Sequence, residues 1–161
     1  MSGFPQGPRS GLKSSIAIQP LDAGHCLAPI ATRWVQNEWG LHEGRTLEET
    51  GCRLLDHADA PRTHVATEEG KPLGVIAFTR YSEPTIGKAL LWIDALFVHP
   101  DHRGAGIGSA LVSFAEQAAV PFATRLDVYT DVPDFYQRLD WTQIRPRNNV
   151  DCAILERFLT P

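Results

Sequence analysis

The residues with the clearest chemical meaning lie in one short segment, 96–109. An apolar strand pattern ends at Val98, and three alternating glycines follow within 104–108, at the start of a helical pattern. Glycines let a ligand approach the backbone closely, and the free N–H groups and dipole of a helix N-terminus attract an anion. Arg103 adds a fixed positive charge that can bind phosphate oxygens. The segment therefore predicts a site for a diphosphate group, against the alternative of a glycine-rich turn that merely packs a helix.

Two other phosphate-binding patterns do not fit this segment. A P-loop requires a glycine, four spacer residues and then Gly-Lys-Ser or Gly-Lys-Thr, and the segment contains no lysine. The dinucleotide-binding fingerprint requires a third glycine where Ser109 stands, and it belongs to the first strand–helix unit of a domain. Here the segment comes late in the chain. Both patterns are excluded.

Periodic patterns predict the elements that must position this segment. Thr46 and Glu49 have the spacing of a capping box at the start of the second helix. The predicted order is β-α-α-β-β-β-α-β-α-β-β, which indicates an α/β (α+β) fold. Strands are expected near 16–21, 64–67, 73–81, 89–98, 124–130, 141–145 and 150–155. Helices are expected over 23–38, 47–57, from the glycines to about 119, and over 133–139.

Length and composition fit one domain. The chain has 161 residues, of which 43% are hydrophobic and 21% charged, as is typical of a globular protein. Residues 1–14 are rich in Gly, Pro and Ser, and we expect a flexible tail there, followed by a single domain at 15–161. No apolar run is long enough to span a bilayer and no signal-peptide core is visible, so we expect a cytoplasmic protein without membrane contact.

The negative charge is concentrated in one part of the chain. The formal net charge is −4, and segment 22–60, with seven carboxylates and three arginines, accounts for all of it. A nucleic-acid partner is not expected because no basic stripe is present. The acidic segment is either a solvated helical face or a rim that steers a cationic ligand toward a site.

The cysteines and histidines do not form a recognisable metal or disulfide pattern. Cys26, Cys52 and Cys152 are far apart, odd in number and outside any C-x-x-C pair. We interpret them as small buried hydrophobic side chains. No metal site is predicted.

At the glycine segment the chain resembles the GNAT superfamily of N-acetyltransferases. The family's acetyl-CoA signature, R/Q-x-x-G-x-G/A, is matched at 103–108 by RGAGIG, after the sequence LFVHPDHRG. A second family block, aromatic-Tyr-x-x-x-Gly-aromatic, is similar to FYQRLDW at 135–141, where Asp140 replaces the glycine. With the element order, the resemblance covers about residues 15–156 and looks closest to a bacterial subgroup of unassigned substrate. It implies the GNAT fold, a central mixed sheet of six to seven strands flanked by about four helices, with acetyl-CoA as co-substrate.

The resemblance also implies which residues contact acetyl-CoA. Backbone groups at the end of the 89–98 strand would pair with the pantetheine arm, and the glycine loop would bind the diphosphate. The strand around 126–129 would splay away to admit the co-substrate. The implied cofactor-binding residues are Leu96, Phe97, Val98, Arg103, Gly104, Ala105, Gly106, Ile107, Gly108 and Ser109.

Two catalytic candidates follow from the same resemblance. Tyr136 matches the family tyrosine that protonates the departing thiolate; the alternative is a core tyrosine in an aromatic cluster. Asp94 stands where several family members have a glutamate that deprotonates the amine. It lies in an otherwise apolar strand, where an unpartnered carboxylate is costly, so it has either a functional or a hydrogen-bonded structural role.

The predicted function is acetyl-CoA-dependent transfer of an acetyl group directly to a primary amine of a small molecule or peptide, without a covalent enzyme intermediate. The alternative is a non-catalytic acyl-CoA-binding module of the same fold. A polyamine, an antibiotic, an amino acid or a peptide N-terminus could be the acceptor. Because family members are often dimers, the resemblance also allows a homodimer.

Overall fold

The computed structural model describes residues 15–56, 58–82 and 89–161. Within these ranges seven strands and four α-helices follow one another in the predicted order. The strands are β1 (Ala17–Pro20), β2 (His64–Glu68), β3 (Lys71–Ser82), β4 (Ala89–Val98), β5 (Arg125–Thr130), β6 (Thr142–Arg145) and β7 (Ala153–Phe158). The helices are α1 (Ala28–Val35), α2 (Leu47–Leu55), α3 (Ile107–Ala119) and α4 (Pro133–Gln137).

The strands form one mixed sheet in the order β1-β2-β3-β4-β5-β7-β6. Strands β4 and β5 are parallel, and every other neighbouring pair in the sheet is antiparallel. A parallel pair needs a crossover connection, which α3 supplies. The predicted mixed sheet of six to seven strands with four helices is confirmed.

The two faces of the sheet carry different helices. On one face, here called the α3 face, α3 packs against Leu126 and Val128 of β5. On the other, the α1/α2 face, helices α1 and α2 pack against Ala95 and Phe97 of β4. Burying a Leu, Val or Phe side chain contributes about 1.5–3 kcal/mol, so these contacts stabilise both helix layers on the sheet.

The capping box at the start of α2 is confirmed. Thr46 Oγ1 accepts a hydrogen bond from the Glu49 N–H at 3.1 Å, and Glu49 Oε2 accepts one from the Thr46 N–H at 2.8 Å. These bonds satisfy two N–H groups that have no partner within the helix. They fix the start of the helix that carries Arg53.

The first helix is shorter than the predicted 23–38. It begins at Ala28 because Pro29 occupies its first turn, where a missing N–H costs nothing. Before it, the His25 ring accepts a hydrogen bond from the Leu27 N–H at 3.1 Å, which holds a turn instead of a helix.

A π-helical turn, Gln36–Gly40, follows α1 directly. A Cβ at Gly40 would lie 2.1 Å from Gln36 Oε1 and 2.9 Å from Thr50 Oγ1, so this close packing requires glycine. The Gln36 side chain accepts from the Thr50 hydroxyl and donates to the Arg45 carbonyl at 2.7 Å. This contact fixes the connection on which Arg45 stands.

The end of the chain departs from the predicted boundaries. Helix α4 ends at Gln137, two residues before the prediction, and the last strand is shifted from 150–155 to Ala153–Phe158. The shift has a local cause: Asn148 Oδ1 accepts from the N–H groups of Val150 and Asp151, which extends the turn.

The interpretation of the cysteines as buried side chains is wrong. Cys26 and Cys52 are exposed, and Cys152 is partly exposed; all three are free thiols. Cys52 lies two positions from both Thr50 and Leu54, the buried residues of α2, so it faces away from the core.

The predicted tail at 1–14 and most of the predicted loop at 82–88 lie outside the described residues. In the part of the chain that the structure describes, no helix is both long and apolar enough to cross a bilayer.

Candidate active site

Strands β4 and β5 stop pairing before either strand ends. The last parallel pair is Ile93 opposite Val128, whereas β4 continues to Val98 and β5 to Thr130. The resulting gap opens into a cleft of about 1800 Å³. A bulge accompanies the split, because the register with β3 skips Asp94. Bulges bend a strand and re-aim a side chain, which places Asp94 at the mouth of the gap.

Beyond the split, β4 keeps a neighbouring strand on one side. Leu96, Phe97 and Val98 pair with β3 and line the cleft with their other edge. Because backbone groups alternate between the two edges of a strand, about half of their N–H and C=O groups face the cleft with no partner from β5. This free edge can accept an extended, amide-containing ligand as an additional strand.

The glycine loop continues directly from this edge. Gly104 and Gly106 have φ values of 79° and 83°, a left-handed conformation that glycine adopts without strain. Gly106 precedes α3 and provides no side-chain cap, so the first N–H groups of the helix remain available. A Cβ at either glycine would have no atom within 4 Å, which leaves open space in front of the helix.

Arg103 is held beside this loop. Its Nε donates to the Val98 carbonyl at 2.8 Å, and its guanidinium carbon lies 5.7 Å from the centre of the Phe97 ring. The structure thus brings together on the cleft wall nine of the ten implied cofactor-binding residues. Ala105 is exposed next to the wall and does not line it.

Tyr136 lies on α4 with 3% of its surface exposed, and it lines the cleft. Its ring packs edge-on against Phe135, at 5.0 Å between centres, and against Trp141, at 5.3 Å. Burial raises the pKa of the Tyr136 phenol above its usual range, so the hydroxyl retains its proton at neutral pH. The residue therefore belongs to an aromatic cluster and also borders the cleft as a protonated phenol.

Asp140 occupies the turn after α4 with a φ of 65°. The backbone here is left-handed, as the family glycine would favour, and Asp tolerates this conformation less well than glycine. The Arg157 guanidinium donates to the Asp140 carbonyl at 2.8 Å, which stabilises the turn and keeps α4 in place.

Asp94 is paired with Arg53 of α2. Arg53 Nε lies 3.0 Å from Asp94 Oδ2, and Arg53 Nη2 lies 2.6 Å from Asp94 Oδ1, so the contact is bidentate. The hydrogen bond to Asp94 raises the pKa of the Arg53 guanidinium. The side chain of Asp94 is 18% exposed and that of Arg53 is 46% exposed, both on the cleft wall.

Six arginines on the cleft wall were not predicted as site residues, and four of them come from two parts of the chain. Arg53 and Arg45 come from the α2 region, and Arg145 and Arg147 from the connection between β6 and β7. None of these four lies in a motif. Arg145 and Arg147 are placed by the pairing of the last two strands and the turn at 148–151, and Arg53 by the packing of α2 beside β4. No local signal in the sequence could have identified them.

Most carboxylates of segment 22–60 do not face the cleft. Glu38 and Glu43 line it, and Glu43 forms an ion pair with Arg45. Glu48 is exposed elsewhere, and Glu49 caps α2. The interpretation of the segment as an acidic rim of the site is therefore wrong for most of its carboxylates.

Among residues 15–56, 58–82 and 89–161, no group of three or more His, Cys, Asp or Glu side chains is placed to hold a metal ion. The chemistry that the described cleft offers comes from N–H donors, one buried phenol, a paired carboxylate and several guanidinium groups.

Sequence comparison matches the part of the chain that contains β4, the glycine loop and Tyr136. A family model described as an acetyltransferase (GNAT) domain matches residues 59–143, more than half of the chain. A mycothiol acetyltransferase from Nocardiopsis dassonvillei is 34% identical over 88 residues, which amount to 52% of this chain and 24% of the relative. The chain thus matches less than a quarter of that relative's length.

Solved structures share the fold. A GNAT-family acetyltransferase from Streptococcus pneumoniae superimposes with a TM-score of 0.65 at 16% identity, covering 91% of this chain and 100% of the other. N-acetylglutamate synthase from Neisseria gonorrhoeae, solved with coenzyme A and N-acetyl-glutamate, gives a TM-score of 0.64 at 15% identity, covering 92% of this chain and 36% of the other.

Proposed function

The chain belongs to the GNAT acetyltransferase family, and on this premise we propose that it transfers an acetyl group from acetyl-CoA directly to a primary amine of a small molecule or peptide. Acetyl-CoA is the donor that acetyltransferases of this family use. The observation that carries the proposal is the unpaired edge of β4 running into the glycine loop and the N-terminus of α3. We further propose that residues 15–161 act as one catalytic domain in the cytoplasm.

The donor would bind along β4. Its pantetheine amides would pair with the free backbone groups of Leu96, Phe97 and Val98. Its diphosphate would lie in the open space before α3, where unpaired N–H groups, the helix dipole and Arg103 favour negative charge. A backbone N–H at the split would then face the thioester oxygen and stabilise the oxyanion that forms during attack.

The chemical step requires two proton movements. The amine nitrogen attacks the thioester carbonyl carbon, the new N–C bond forms, and the C–S bond breaks with its electron pair moving to sulfur. Tyr136 donates its phenolic proton to that sulfur, a role that its protonated state supports. Asp94, through a water molecule, accepts a proton from the attacking amine, and the two residues then exchange protons with solvent.

The pairing with Arg53 defines how Asp94 would act. A bidentate guanidinium fixes the carboxylate in one orientation but uses one lone pair on each oxygen. Each carboxylate oxygen can accept more than one hydrogen bond, so a water can still bridge Asp94 and the amine. Arg53 is then a positioning residue, and Asp94 is the proton acceptor that it orients.

The gap between β4 and β5 supports direct transfer. The phosphate loop and Tyr136 belong to elements on the α3 face, whereas Asp94 and Arg53 lie on the α1/α2 face. The donor and the acceptor can therefore meet in the gap from opposite faces, without an acetylated enzyme between them.

An assay of thiol release tests this function. The protein is incubated with acetyl-CoA and a panel of amines, the free thiol is measured, and products are identified by mass spectrometry. We expect amine-dependent thiol release with formation of an N-acetyl product. Tight coenzyme A binding in calorimetry, with no amine in the panel raising thiol release above spontaneous hydrolysis, would instead support a non-catalytic acyl-CoA-binding module.

A further inference from the structure

Three buried N–H donors on the cleft wall have no hydrogen-bond acceptor among the described residues. They are Nε1 of Trp92, Nε of Arg45 and Nε of Arg145. Trp92 as a whole is 9% exposed. A buried polar group left unpaired destabilises the folded state, and such groups nearly always have a partner in native proteins. Because all three groups donate and cannot accept, they favour a ligand rich in acceptor oxygens.

Arg145 and Arg147 add positive charge that no carboxylate of the described residues balances by an ion pair. Arg145 Nη2 donates to the Cys152 carbonyl at 3.3 Å, and its guanidinium carbon lies 5.6 Å from the centre of the Tyr129 ring. Arg147 Nη1 donates to the Asp131 carbonyl at 3.0 Å. Carbonyl and ring contacts orient the two side chains without neutralising them.

Arg145 stands on the acceptor side of the gap. Tyr129 directly follows Val128, the last residue of β5 paired with β4. Val128 packs against the α3 layer, so Tyr129, the next residue, points to the α1/α2 face. Asp94 holds the equivalent position on β4, one residue past the last pair. The Arg145 guanidinium, stacked on Tyr129, therefore lies across the gap from Asp94 and on the face opposite the phosphate loop.

The charge of the cleft opposes the charge of the whole chain. Seven arginines and five carboxylates are among the described residues that line it, although the full chain has a net charge of −4. Three of the arginines are already paired: Arg45 with Glu43, Arg53 with Asp94, and Arg80 with Asp59, which lies outside the cleft. Among the described residues, four lining arginines and three lining carboxylates form no ion pair between side chains. The lining thus attracts an anionic group and repels a polycation.

Resting on the proposed function, we propose that the acceptor amine carries a carboxylate, as an amino acid does, and that Arg145 and Arg147 bind this carboxylate on the α1/α2 face of the gap. The planar guanidinium fork matches the two oxygens of a carboxylate. Acceptor oxygens would also satisfy the unpaired donors of the wall. A polyamine would bring further donors and positive charge to a wall that already has both.

Matched acceptor pairs test the proposal. Amino acids are compared with their α-amides, which keep the amine and side chain but lack the carboxylate. We expect KM to be at least about tenfold lower for the acids, since a hydrogen bond to a charged group contributes enough for such a difference. Arg145→Gln and Arg147→Gln should remove most of this preference and leave the amide KM within about twofold. Arg62→Gln, which removes one exposed positive charge outside the cleft, is the matched control.

A binding measurement keeps the test independent of turnover. Calorimetry on the coenzyme-A-saturated protein compares N-acetylamino acids with their amides, in the wild type and in both variants. Tighter binding of the acids, lost in Arg145→Gln or Arg147→Gln, supports the proposal. Equal affinity for acid and amide would overturn the proposal, as would a preference for phosphate-bearing amines. It would also be overturned if the two substitutions weakened the binding of acetyl-CoA and not that of the acids. Thiol release with amides alone would overturn it while leaving the acetyltransferase function intact.

Discussion

Arg53 of α2 holds Asp94 of β4 through both carboxylate oxygens, at 3.0 Å and 2.6 Å. The pair connects a helix of the α1/α2 face to the bulge at which β4 separates from β5. The residue proposed to accept the amine proton is thus oriented by a second residue that the glycine and tyrosine motifs do not include.

Replacing Asp94 and replacing Arg53 should have different kinetic effects. Asp94→Asn should lower kcat by about 10²-fold or more, because general base catalysis typically contributes that much, and the loss should be smaller at high pH, where the amine is already neutral. Arg53→Gln should lower kcat less but shift the pH dependence of kcat/KM, because the carboxylate loses its charged partner. Steady-state kinetics between about pH 6 and 10 provide the measurement.

Asp59→Asn is the control for this pair. It breaks an ion pair of Asp59 with Arg80, and Asp59 is 81% exposed and does not line the cleft. Its kinetics should match the wild type. Equal losses for Asp59→Asn and Asp94→Asn would show that Asp94 acts through general stability instead of proton transfer.

Tyr136→Phe should lower kcat by about 10²–10⁴-fold and change the KM for acetyl-CoA little, since a proton donor acts only as charge develops on sulfur. The substitution keeps the ring contacts with Phe135 and Trp141. A loss below about threefold under conditions where chemistry limits the rate would assign Tyr136 to the aromatic cluster alone.

The raised pKa of Tyr136 also predicts a stability effect at alkaline pH. In the unfolded chain a tyrosine ionises near pH 10, whereas in the folded protein burial raises this pKa. The folded state therefore binds the phenolic proton more tightly than the unfolded chain does. This difference adds to the free energy of unfolding in full below about pH 10, and the added stability decreases as the pH rises further.

Urea unfolding at pH 8 to 11 should show this decrease. The free energy of unfolding of the wild type relative to Tyr136→Phe should be constant up to about pH 10 and then fall by up to about 1.4 kcal/mol per pH unit. A difference that stays constant across the whole range would mean that the phenol is not shielded from solvent.

Gly106→Leu should abolish coenzyme A binding without unfolding the protein. The side chain would occupy the open space before α3. A non-glycine residue at positive φ also introduces backbone strain of roughly 1–2 kcal/mol. Gly70→Leu is the control for this strain, because Gly70 has a φ of 78° and equally open surroundings but does not line the cleft. Calorimetry should detect binding in Gly70→Leu and none in Gly106→Leu; equal affinity in both variants would place the phosphates elsewhere.

Direct transfer predicts that the protein is not acetylated. Incubation with acetyl-CoA alone should leave the intact mass unchanged and produce no burst of thiol. Cys152 is a thiol on the described cleft wall, so an acetyl group on it would be the expected sign of a two-step mechanism.

The sequence was sufficient where the signal is local. The apolar run at 89–98, the Thr46–Glu49 capping box and the glycines before α3 each depend on residues close in the chain, and all were found where expected. The boundaries of α1 and β7 were missed because they depend on individual side chains: Pro29 in the first turn of α1, and Asn148, which accepts hydrogen bonds from two backbone N–H groups.

The charge of the site could not be predicted because it depends on distant pairing. Arg53 and Asp94 are 41 residues apart, and their contact forms through the packing of α2 on β4. Arg145 reaches the cleft because β6 pairs with β7 and β7 with β5. Counting charges along 22–60 left an acidic rim of the cleft as one of two alternatives, whereas the folded chain lines the cleft with more arginines than carboxylates.

The stoichiometry of the reaction tests the central claim most directly. With the best amine of the panel, coenzyme A thiol and N-acetylated amine are quantified in the same samples over time, in the wild type and in Tyr136→Phe. The account predicts equimolar thiol and amide from the first time point, at a rate that falls at least about 10²-fold in the variant. Thiol without amide, or equal rates in both proteins, would contradict it.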